Sequence, residues 1–575
     1  MRNKEVSQIL YEIANLLSLG DENPFRIRAY EKAAQIIESI PEDIEDLYKT
    51  QKLKTIPGIG EGISEKISEY LTTNKLLYLE ELRKKFPSGL LEIMNIPGMG
   101  PKKTKIIYEK LNIKTIDELK EAIKQHKLRT LDGFGEKTEK NILEGIQLKE
   151  KSKGRILLSD AIEISENIID ELKKYKEIKQ ISPAGSLRRK KETVGDIDIL
   201  CTVETKKEKF IIDKFTQLNI VKKIIAKGTT KATILTKQDL QIDLRVVNPS
   251  CYGAAMQYFT GSKEHNIALR ELANKIGLTI NEYGVFKLTD NEKPIVGKTE
   301  EEVYKILSLQ YIQPELRENR GEIELAQKNK LPLLIQPYDI KGDIHIHSKY
   351  SDGKNSIDEI VQKAQDMNYE WIIITDHSQG LKVANGTSIS ELYKKIDEIK
   401  KINKKTKTKI LCGTEVDILY DGKLDYPDDV LKEVDFVICA IHTGFKQTQQ
   451  QILERIKIAF QNKYVHAMSH PSGRLLNKRN PYKIDMNRVL EYAKEFGVAL
   501  EINAFPDRLD LSDNYCKKAK EMGIKLTIGT DAHYVSQMEY MKFGLYVAQR
   551  GWLEKDNLIN TLSYDNLVKF LKNRR

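Results

Sequence analysis

The chain is poor in residues that would cross-link it covalently or hold it in a membrane. It has 5 cysteines in 575 residues, none spaced as Cys-x-x-Cys, so neither a disulfide framework nor a zinc ribbon is indicated. No apolar run approaches the roughly 20 residues that a membrane span needs. The first residues begin a helical pattern without the apolar core of a signal peptide. We therefore expect a cytoplasmic protein in a reducing compartment, with no membrane partner.

The bulk composition indicates a folded protein of several domains. The chain is 40% hydrophobic and 31% charged, which is typical of globular proteins rather than disordered ones. At 575 residues it is too long for a single core, so three or more domains are expected. The net charge of +10 is compatible with nucleic-acid binding. Many proteins that bind no nucleic acid share such a charge, so it decides nothing alone.

A glycine motif occurs three times in the first 150 residues. Residues 55–60 read TIPGIG, residues 95–100 read NIPGMG, and residues 131–135 read LDGFG. Each copy follows one helical pattern and begins another. Glycine permits positive φ and close approach of a second backbone, and the amides at the next helix N-terminus form an anion site. We therefore predict contacts to DNA phosphates at Gly58, Gly60, Gly98, Gly100, Gly133 and Gly135. The alternative is three tight inter-helix turns without a ligand.

Three aspartates predict a first metal site. Asp196 and Asp198 alternate along an apolar strand and therefore share one face. Adjacent carboxylates repel one another unless cations lie between them. A second apolar strand can supply Asp243, and three oxygen ligands suit Mg²⁺ or Mn²⁺ in a two-metal phosphoryl-transfer site. The preceding glycine turn, residues 185–189, places Ser186 and Arg189 to hold a triphosphate.

A second metal site is predicted in the last 240 residues, where strand-like and helix-like segments alternate. The chain has 9 histidines, and six of them follow apolar strand patterns, together with three carboxylates. Imidazole and carboxylate are ligands of Zn²⁺, Mn²⁺ or Fe²⁺, and nine ligands serve about three metals. The predicted ligands are His345, His347, Asp352, His377, Glu415, His442, His470, Asp531 and His533. Of the other histidines, His466 is expected to pack near this site, His265 to face DNA and His126 to lie on the surface.

The glycine repeats resemble helix–hairpin–helix motifs. Residues 24–30 (PFRIRAY) and 63–67 (ISEKI) further resemble the small N-terminal domain of DNA polymerase beta. That resemblance implies that Lys66 forms a Schiff base with an abasic sugar. A lysine nucleophile needs a lowered pKa, which the sequence does not reveal. The alternative is a surface lysine on a DNA-binding helix.

The aspartate region resembles the nucleotidyltransferase palm of family X DNA polymerases. The resemblance continues through residues 258–262 (YFTGS) and beyond. It implies nucleotide binding by Gly185, Ser186, Arg189, Tyr258, Phe259, Gly261, Asn266 and Arg270. Of these, Tyr258, Phe259 and Gly261 would pack under the sugar. Asn266 would contact the base edge and Arg270 the template strand.

The histidine region resembles the PHP (polymerase and histidinol phosphatase) domain, a distorted barrel with metals at strand C-termini. Together the resemblances imply a bacterial or archaeal family X DNA polymerase acting on gapped or primed double-stranded DNA with deoxynucleoside triphosphates. They imply gap filling in base excision repair, a 3′–5′ exonuclease, and abasic-site or 3′-phosphodiester cleavage, in a monomer. One alternative is a PHP phosphoesterase whose polymerase half only binds DNA. Another is a non-catalytic scaffold for DNA ends.

The expected fold is a multidomain α+β and α/β chain. It combines helical helix–hairpin–helix domains, a nucleotidyltransferase palm with a thumb-like subdomain, and a C-terminal distorted (β/α) barrel. The stretch 315–330 is expected to form a solvated helix. The predicted boundaries are 1–82 for a lyase-like helical domain, 83–150 for a fingers-like subdomain, 151–250 for the palm, 251–320 for the nucleotide and template subdomain, 321–337 for a linker and 338–575 for the PHP domain.

Overall fold

The computed structural model describes residues 2–20, 22–40, 43–56, 58–96, 98–152, 154–289 and 292–573. The chain divides into two units by its internal contacts. One unit comprises Met1–Lys153 with Asn477–Asn480, and the other Gly154–Leu476 with Pro481–Arg575. Throughout the described part of the chain, no helix combines the length and apolar character needed to cross a membrane. All five cysteines are buried free thiols.

The first unit is built from helices whose apolar faces pack on one another. Its α-helices are Asn3–Leu19, Pro24–Ser39, Ile44–Lys49, Glu61–Thr73, Leu77–Lys85, Gly89–Met94, Pro101–Leu111, Ile116–Lys124 and Glu136–Ser152. The helix Ile116–Lys124 illustrates how local sequence sets the start and the buried face of these helices. Thr115 and Glu118 form a reciprocal capping box at its start, and Leu119 and Ile123, four residues apart, are buried on one face.

The polymerase-like half of the second unit contains a five-stranded mixed sheet. Its strands are β2 (Ile178–Pro183), β4 (Asp196–Val203), β5 (Val221–Lys227), β6 (Lys231–Thr236) and β7 (Gln241–Val246), in the order β2-β4-β7-β6-β5. The two-residue strands β1 (Ile156–Leu157) and β3 (Thr193–Val194) pair separately, as do β8 (Leu278–Asn281) and β9 (Gly284–Lys287). The central strands β4 and β7 run parallel. The carboxylates they carry are therefore neighbours.

The helices of this half lie between and after the strands. They are Leu158–Lys173, Gly185–Arg188, Glu208–Thr216, Tyr252–Thr260, Lys263–Lys275, Glu300–Ile306 and Glu322–Gln327. Alternating apolar residues of β4, among them Ile197 and Ile199, are fully buried in the core beneath the sheet. The opposite alternation leaves Asp196 exposed at the strand start.

The C-terminal half is a nearly closed parallel barrel. Its seven strands are adjacent in chain order: β10 (Gly342–Ile346), β11 (Trp371–Ile374), β12 (Lys409–Asp417), β13 (Phe436–Ala440), β14 (Ala467–Met468), β15 (Ala499–Asn503) and β16 (Leu526–Gly529). A parallel bridge between Ile346 and Ala532 connects the first strand to the segment after the last. Both faces of the strands are covered, which explains their continuous apolar runs. The predicted distorted barrel is confirmed.

Eight α-helices connect or follow the barrel strands in the described residues. They are Ile357–Asp366, Ile389–Ile402, Asp428–Leu431, Gln449–Gln461, Met486–Phe496, Asp513–Glu521, Met541–Arg550 and Tyr564–Lys572. The helix Ile357–Asp366 is typical, since Ser356 caps its start and Ile360 and Ala364 are buried against the barrel.

The prediction of a solvated helix over residues 315–330 is wrong. Only Glu322–Gln327 is α-helical, and Arg317 and Glu322 are fully buried. Arg317 pairs with Glu300 at 2.6 Å, and Glu322 accepts a hydrogen bond from His265 Nδ1 at 2.7 Å. His265 is itself fully buried, so it does not face DNA as expected. These charges are buried because each has an internal partner, which composition does not reveal.

Candidate metal centres and DNA contacts

The three predicted aspartates lie on two neighbouring strands of the palm-like sheet. Asp198 of β4 is directly opposite Asp243 of β7, and Asp196 is opposite Gln241. Because side chains alternate along a strand, Asp196 and Asp198 share the face on which Asp243 also lies. The sheet thus brings together carboxylates that are 45 residues apart in sequence. This arrangement can hold divalent cations at an open sheet surface.

The electrostatics of this triad favour a cation. Burial, together with the charges of Asp196 and Asp243, raises the pKa of Asp198 to about 6. Burial alone would raise the pKa of Asp243 as well. However, hydrogen bonds from Thr233 at 2.5 Å and Gln241 at 2.8 Å hold its pKa below the ordinary value. A divalent cation would offset the repulsion that Asp198 experiences.

The glycine turn before β4 is closely fitted to this triad. Gly185 has a φ of +60°, and a methyl group there would lie 2.6 Å from Oδ2 of Asp198, so a larger residue would be strained and would displace a triad carboxylate. Ser186 follows in a four-residue helix. Arg189 pairs with Glu318 at 3.0 Å and donates to a backbone carbonyl, rather than projecting into solvent. These contacts use Nε and Nη1 of its guanidinium.

The other predicted nucleotide contacts lie on two consecutive helices and the turn between them. Tyr258 and Phe259 stack edge to face with ring centroids 5.1 Å apart, and Gly261 ends their helix. Asn266 on the next helix donates to the Tyr258 carbonyl at 2.7 Å. Arg270, one turn further, is exposed. The five residues therefore occupy one part of the subdomain, with Asn266 internally hydrogen-bonded.

The nine predicted barrel ligands converge at the C-terminal ends of the strands. Eight of them lie within four residues of a strand end, and Asp352 lies in the loop after β10. Among the described residues, three groups have ligand atoms within 4.8 Å of one another, and the three palm aspartates are outside them. These groups are His347, Asp352, His377 and His533; His345, His347 and Asp531; and His377, Glu415 and His442.

Glu415 lies at the centre of the cluster. Its carboxylate is 2.8 Å from His377 Nδ1, 3.0 Å from His470 Nε2 and 3.4 Å from His442 Nε2. It is also 3.5 Å from His345 Nε2. One buried carboxylate thus contacts histidines that follow or lie on four different strands. His470 belongs to the cluster because of its contact with Glu415.

The imidazoles of the cluster differ in their preference for a proton. Burial, helped by the neighbouring His533 and His377, lowers the pKa of His347 to about 4. Burial would also lower the pKa of His442, but Glu415 and Asp417 raise it to about 10. The carboxylates therefore supply negative charge that protons or metal ions must balance.

The donor set fits divalent metals. Nδ1 of His347 is buried and makes no hydrogen bond among the described residues, and Oε2 of Glu415 has only ion-pair contacts, the shortest at 2.8 Å to His377 Nδ1. Buried polar atoms without hydrogen bonds are costly unless a ligand binds them. The mixture of six imidazoles and three carboxylates suits Zn²⁺, Mn²⁺ or Fe²⁺.

Sequence reasoning missed the residues that orient these ligands. Glu501 accepts from His345 Nδ1 at 2.6 Å and from the backbone amide of His470 at 2.7 Å. Asp417 lies 2.5 Å from His442 Nδ1. Such partners set the tautomer and direction of a ligand imidazole. The available signal was a charged residue inside an otherwise apolar buried strand, as at Glu501 in β15.

The three glycine repeats form three similar helix–turn–helix junctions in the first unit. The first glycine of each copy has positive φ, between 79° and 94°, at Gly58, Gly98 and Gly133. The second glycine precedes a helix in each copy, at Gly60, Gly100 and Gly135. A side chain at these second positions would meet no described atom within 4 Å. No described atom therefore crowds the chain beside these glycines at the start of the three helices.

Lys66 is partly exposed on the helix after the first repeat. Its amine donates to the Gly62 carbonyl at 3.1 Å and lies 4.9 Å from the centre of the Tyr78 ring.

Two histidines, His466 and His126, lie outside the predicted ligand set and have other partners. His466 is buried and its Nδ1 accepts from the Val437 amide, while the largely exposed His126 pairs with Glu139.

Known families match the same segments. The helix–hairpin–helix domain matches residues 1–76, and the SAM-like helix–hairpin–helix tandem matches residues 90–148. The DNA polymerase beta palm matches 155–263, the DNA polymerase beta thumb 255–318, and the PHP domain 343–505. Fold and site together define a class: a DNA polymerase beta-like nucleotidyltransferase joined to a PHP domain.

Individual relatives narrow this class. The chain is 38% identical to the DNA polymerase/3′-5′ exonuclease PolX of Bacillus subtilis (strain 168) over 575 residues, which is 100% of both chains. The chain belongs to the family X DNA polymerases that carry a C-terminal PHP domain. Part of the chain is also similar to smaller proteins. A "Probable phosphatase" of Thermoanaerobacter sp. (strain X514) is 29% identical over 248 residues, covering 40% of this chain and 95% of the relative.

Proposed function

We propose that this protein is a DNA-directed DNA polymerase that fills short gaps during DNA repair and trims DNA 3′ ends with its PHP domain. The proposal is supported by one chain that carries an aspartate triad on its palm-like sheet and a histidine and carboxylate cluster in its barrel, and that matches a polymerase/exonuclease over its full length. Its substrates are gapped or primed double-stranded DNA and deoxynucleoside triphosphates. It acts as a monomer in the cytoplasm, where its buried thiols remain reduced.

In the polymerase reaction, the primer 3′-hydroxyl attacks the α-phosphorus of the incoming nucleotide and pyrophosphate leaves. Asp196, Asp198 and Asp243 hold two Mg²⁺ or Mn²⁺ ions. Gly185, Ser186 and Arg189 bind the triphosphate, with Arg189 exchanging Glu318 for phosphate oxygens. The ions at both sites supply charge neutralisation and activation of the attacking oxygen.

The nucleotide sugar and base are positioned by the two helices after the palm. Tyr258, Phe259 and Gly261 pack under the sugar, Asn266 contacts the base edge and Arg270 the template strand. The six repeat glycines bind the DNA backbone through amides at their helix N-termini, without reading sequence.

The barrel hydrolyses phosphodiesters at 3′ ends and, in the same cluster, at abasic sites and 3′-blocking phosphodiesters. About three Mn²⁺, Zn²⁺ or Fe²⁺ ions bind to its nine ligands. Glu501 and Asp417 fix the orientation of two of the imidazoles, so the ligand geometry is set before substrate binds.

A labelled primer in a one-nucleotide gapped duplex tests the proposal. With Mn²⁺ and deoxynucleotides we expect extension by one nucleotide, and without deoxynucleotides we expect 3′ shortening. Shortening under every nucleotide and metal condition would contradict the polymerase assignment. It would leave a phosphoesterase whose other half only binds DNA.

Lys66 is proposed as the nucleophile of an abasic-sugar lyase. The partial exposure of Lys66 and the Tyr78 ring beside its amine support access by a sugar. Borohydride trapping on an abasic 5′-phosphate end should give a covalent adduct with the wild type but not with Lys66→Ala. An adduct of equal yield in both proteins would exclude Lys66.

A further inference from the structure

Two exposed aromatic rings lie just beyond metal ligands at the mouth of the barrel. Tyr420 is 63% exposed and follows Asp417, the partner of His442, by three residues. Phe445 is 36% exposed and follows His442 itself by three residues. Three residues reach at most about 11 Å, so the backbone of each aromatic residue lies within that distance of Asp417 or His442. Neither ring contributes a ligand to the metal cluster.

A buried arginine connects the two loops that carry these rings. Arg455 is 1% exposed, and its guanidinium donates to the carbonyls of Ile418 and Thr443, the latter at 3.1 Å. Its Cζ lies 5.3 Å from the centre of the Tyr420 ring. A methyl group at Gly444 would lie 3.1 Å from Cε1 of Tyr420, so the ring rests directly on the loop of Phe445. The loops are therefore held together as one surface.

Phe445 is supported from a third loop. Its ring stacks on Tyr482 with centroids 5.8 Å apart and an interplanar angle of 13°. Tyr482 is buried, and its hydroxyl donates at 2.5 Å to the carbonyl of Pro471, the residue after His470. Both exposed rings thus pack against residues that contact the ligand-bearing loops: Tyr420 against Arg455 and Gly444, and Phe445 against Tyr482.

We propose that Tyr420 and Phe445 form a stacking platform for the unpaired terminal nucleobase of a DNA 3′ end. This inference rests on the proposed exonuclease function of the barrel. Every base has an aromatic face, so such stacking binds DNA ends without regard to sequence.

The platform places the terminal phosphodiester over the cluster. Water adds to its phosphorus, and the bond to the 3′ oxygen of the penultimate nucleotide breaks. That oxygen takes up a proton, and the terminal nucleotide leaves as a 5′-monophosphate. The rings take no part in the bond changes, so Tyr420 and Phe445 determine specificity rather than chemistry.

The test compares two single-stranded oligonucleotides with Mn²⁺ as the metal. One ends in a normal 3′ nucleotide and the other in an abasic tetrahydrofuran nucleotide, which has the same phosphodiester but no base. The full-length wild type is compared with Tyr420→Ala, Tyr420→Phe and Phe445→Ala. Tyr393→Ala, at a 43% exposed tyrosine on the helix Ile389–Ile402, is the matched control. Bound metal and thermal midpoint are measured for each variant.

We expect the wild type, Tyr420→Phe and Tyr393→Ala to prefer the base-bearing end by about tenfold or more in kcat/KM. Tyr420→Ala and Phe445→Ala should each lose about tenfold on that end and little on the abasic end. Equal rates on both ends in the wild type, or equal losses on both ends in the alanine variants, would overturn the platform alone. If the wild type removes neither end, the exonuclease assignment and the platform both fail.

Discussion

The two metal sites of this chain are organised in opposite ways. The palm site consists of three aspartates on a sheet face, of which Asp196 is exposed and Asp243 is buried and contacted by Thr233, Gln241 and Lys231. The barrel site consists of nine candidate ligands, most of them buried, that contact one another and the further carboxylates Glu501 and Asp417. The first suits ions that arrive with a nucleotide and leave with pyrophosphate. The second suits resident ions, because its ligands are already oriented.

The largest expected effect comes from removing the carboxylate that joins the barrel ligands. Glu415→Ala should lower 3′–5′ degradation by about 10³-fold, because four imidazoles lose their shared partner. Gap filling should change less than twofold. Single-turnover assays on gapped DNA and metal analysis by mass spectrometry measure this, with Glu521→Ala on the surface as control. Unchanged metal content would contradict the central role of Glu415.

The reciprocal change acts on the palm. Asp196→Asn should lower gap filling by about 10²- to 10³-fold, since it removes a metal ligand while keeping the shape of the side chain. Degradation without nucleotides should continue at the wild-type rate. Asp239→Asn, at an exposed aspartate between β6 and β7, is the control. Equal loss of synthesis and degradation would show that the sites are not separate.

A smaller effect is expected from a change at Arg550, which tests whether the barrel influences nucleotide binding in the palm. Arg550 of the barrel donates to the Arg189 carbonyl at 2.7 Å and shares Glu318 with the Arg189 side chain. Arg550→Lys keeps the charge but not the two-pronged geometry. We expect the KM for deoxynucleotides to rise by about 3- to 10-fold with little change in kcat or exonuclease rate.

Steady-state kinetics on gapped DNA check this, and Arg488→Lys on the surface is the control. An unchanged KM would mean that the barrel does not influence nucleotide binding through Arg189. A lower exonuclease rate with an unchanged KM for deoxynucleotides would show that Arg550 supports the barrel site and not nucleotide binding.

The smallest expected effect is on stability. The pKa of Asp198 is raised from its ordinary value of 3.8 to about 6, so its ionisation lowers the stability of the metal-free fold progressively between these pH values and by a constant amount above them. Asp198→Asn should therefore increase the free energy of unfolding at pH 7.5 by about 1 kcal/mol. The gain should vanish at pH 4 or with saturating Mn²⁺ bound to the wild type. Urea titrations at both pH values measure it, and an equal gain at both would exclude this cause.

Part of each site follows from local pattern. Period-two alternation in β4 placed Asp196 and Asp198 on one face, and apolar strands followed by histidines located the barrel ligands at strand ends. The turn glycines were equally local, since positive φ at Gly58 and its equivalents is required by the turn itself. In each case the relevant neighbours are only a few residues away in sequence.

Other features depend on partners far along the chain. The hydrogen bond between His345 and Glu501 joins residues 156 positions apart in the sequence. Glu318 accepts hydrogen bonds from Arg189 and Arg550, each more than 100 residues away. His265 lies in a segment whose pattern suggested contact with DNA, yet it is buried against Glu322 and Tyr304. Whether a charged side chain is solvated or buried is decided by the group it meets.

The sequence by itself determined the classes of chemistry: a carboxylate triad, a histidine-rich centre and three amide-lined turns. The tertiary structure decided which side chains orient the ligands, where Arg189 is held and which aromatic rings stand at the mouth of the barrel. The physical reason is the range of the interactions. Backbone periodicity and turn conformation act over a few residues, whereas ion pairs, burial and stacking arise only when packing brings distant segments together.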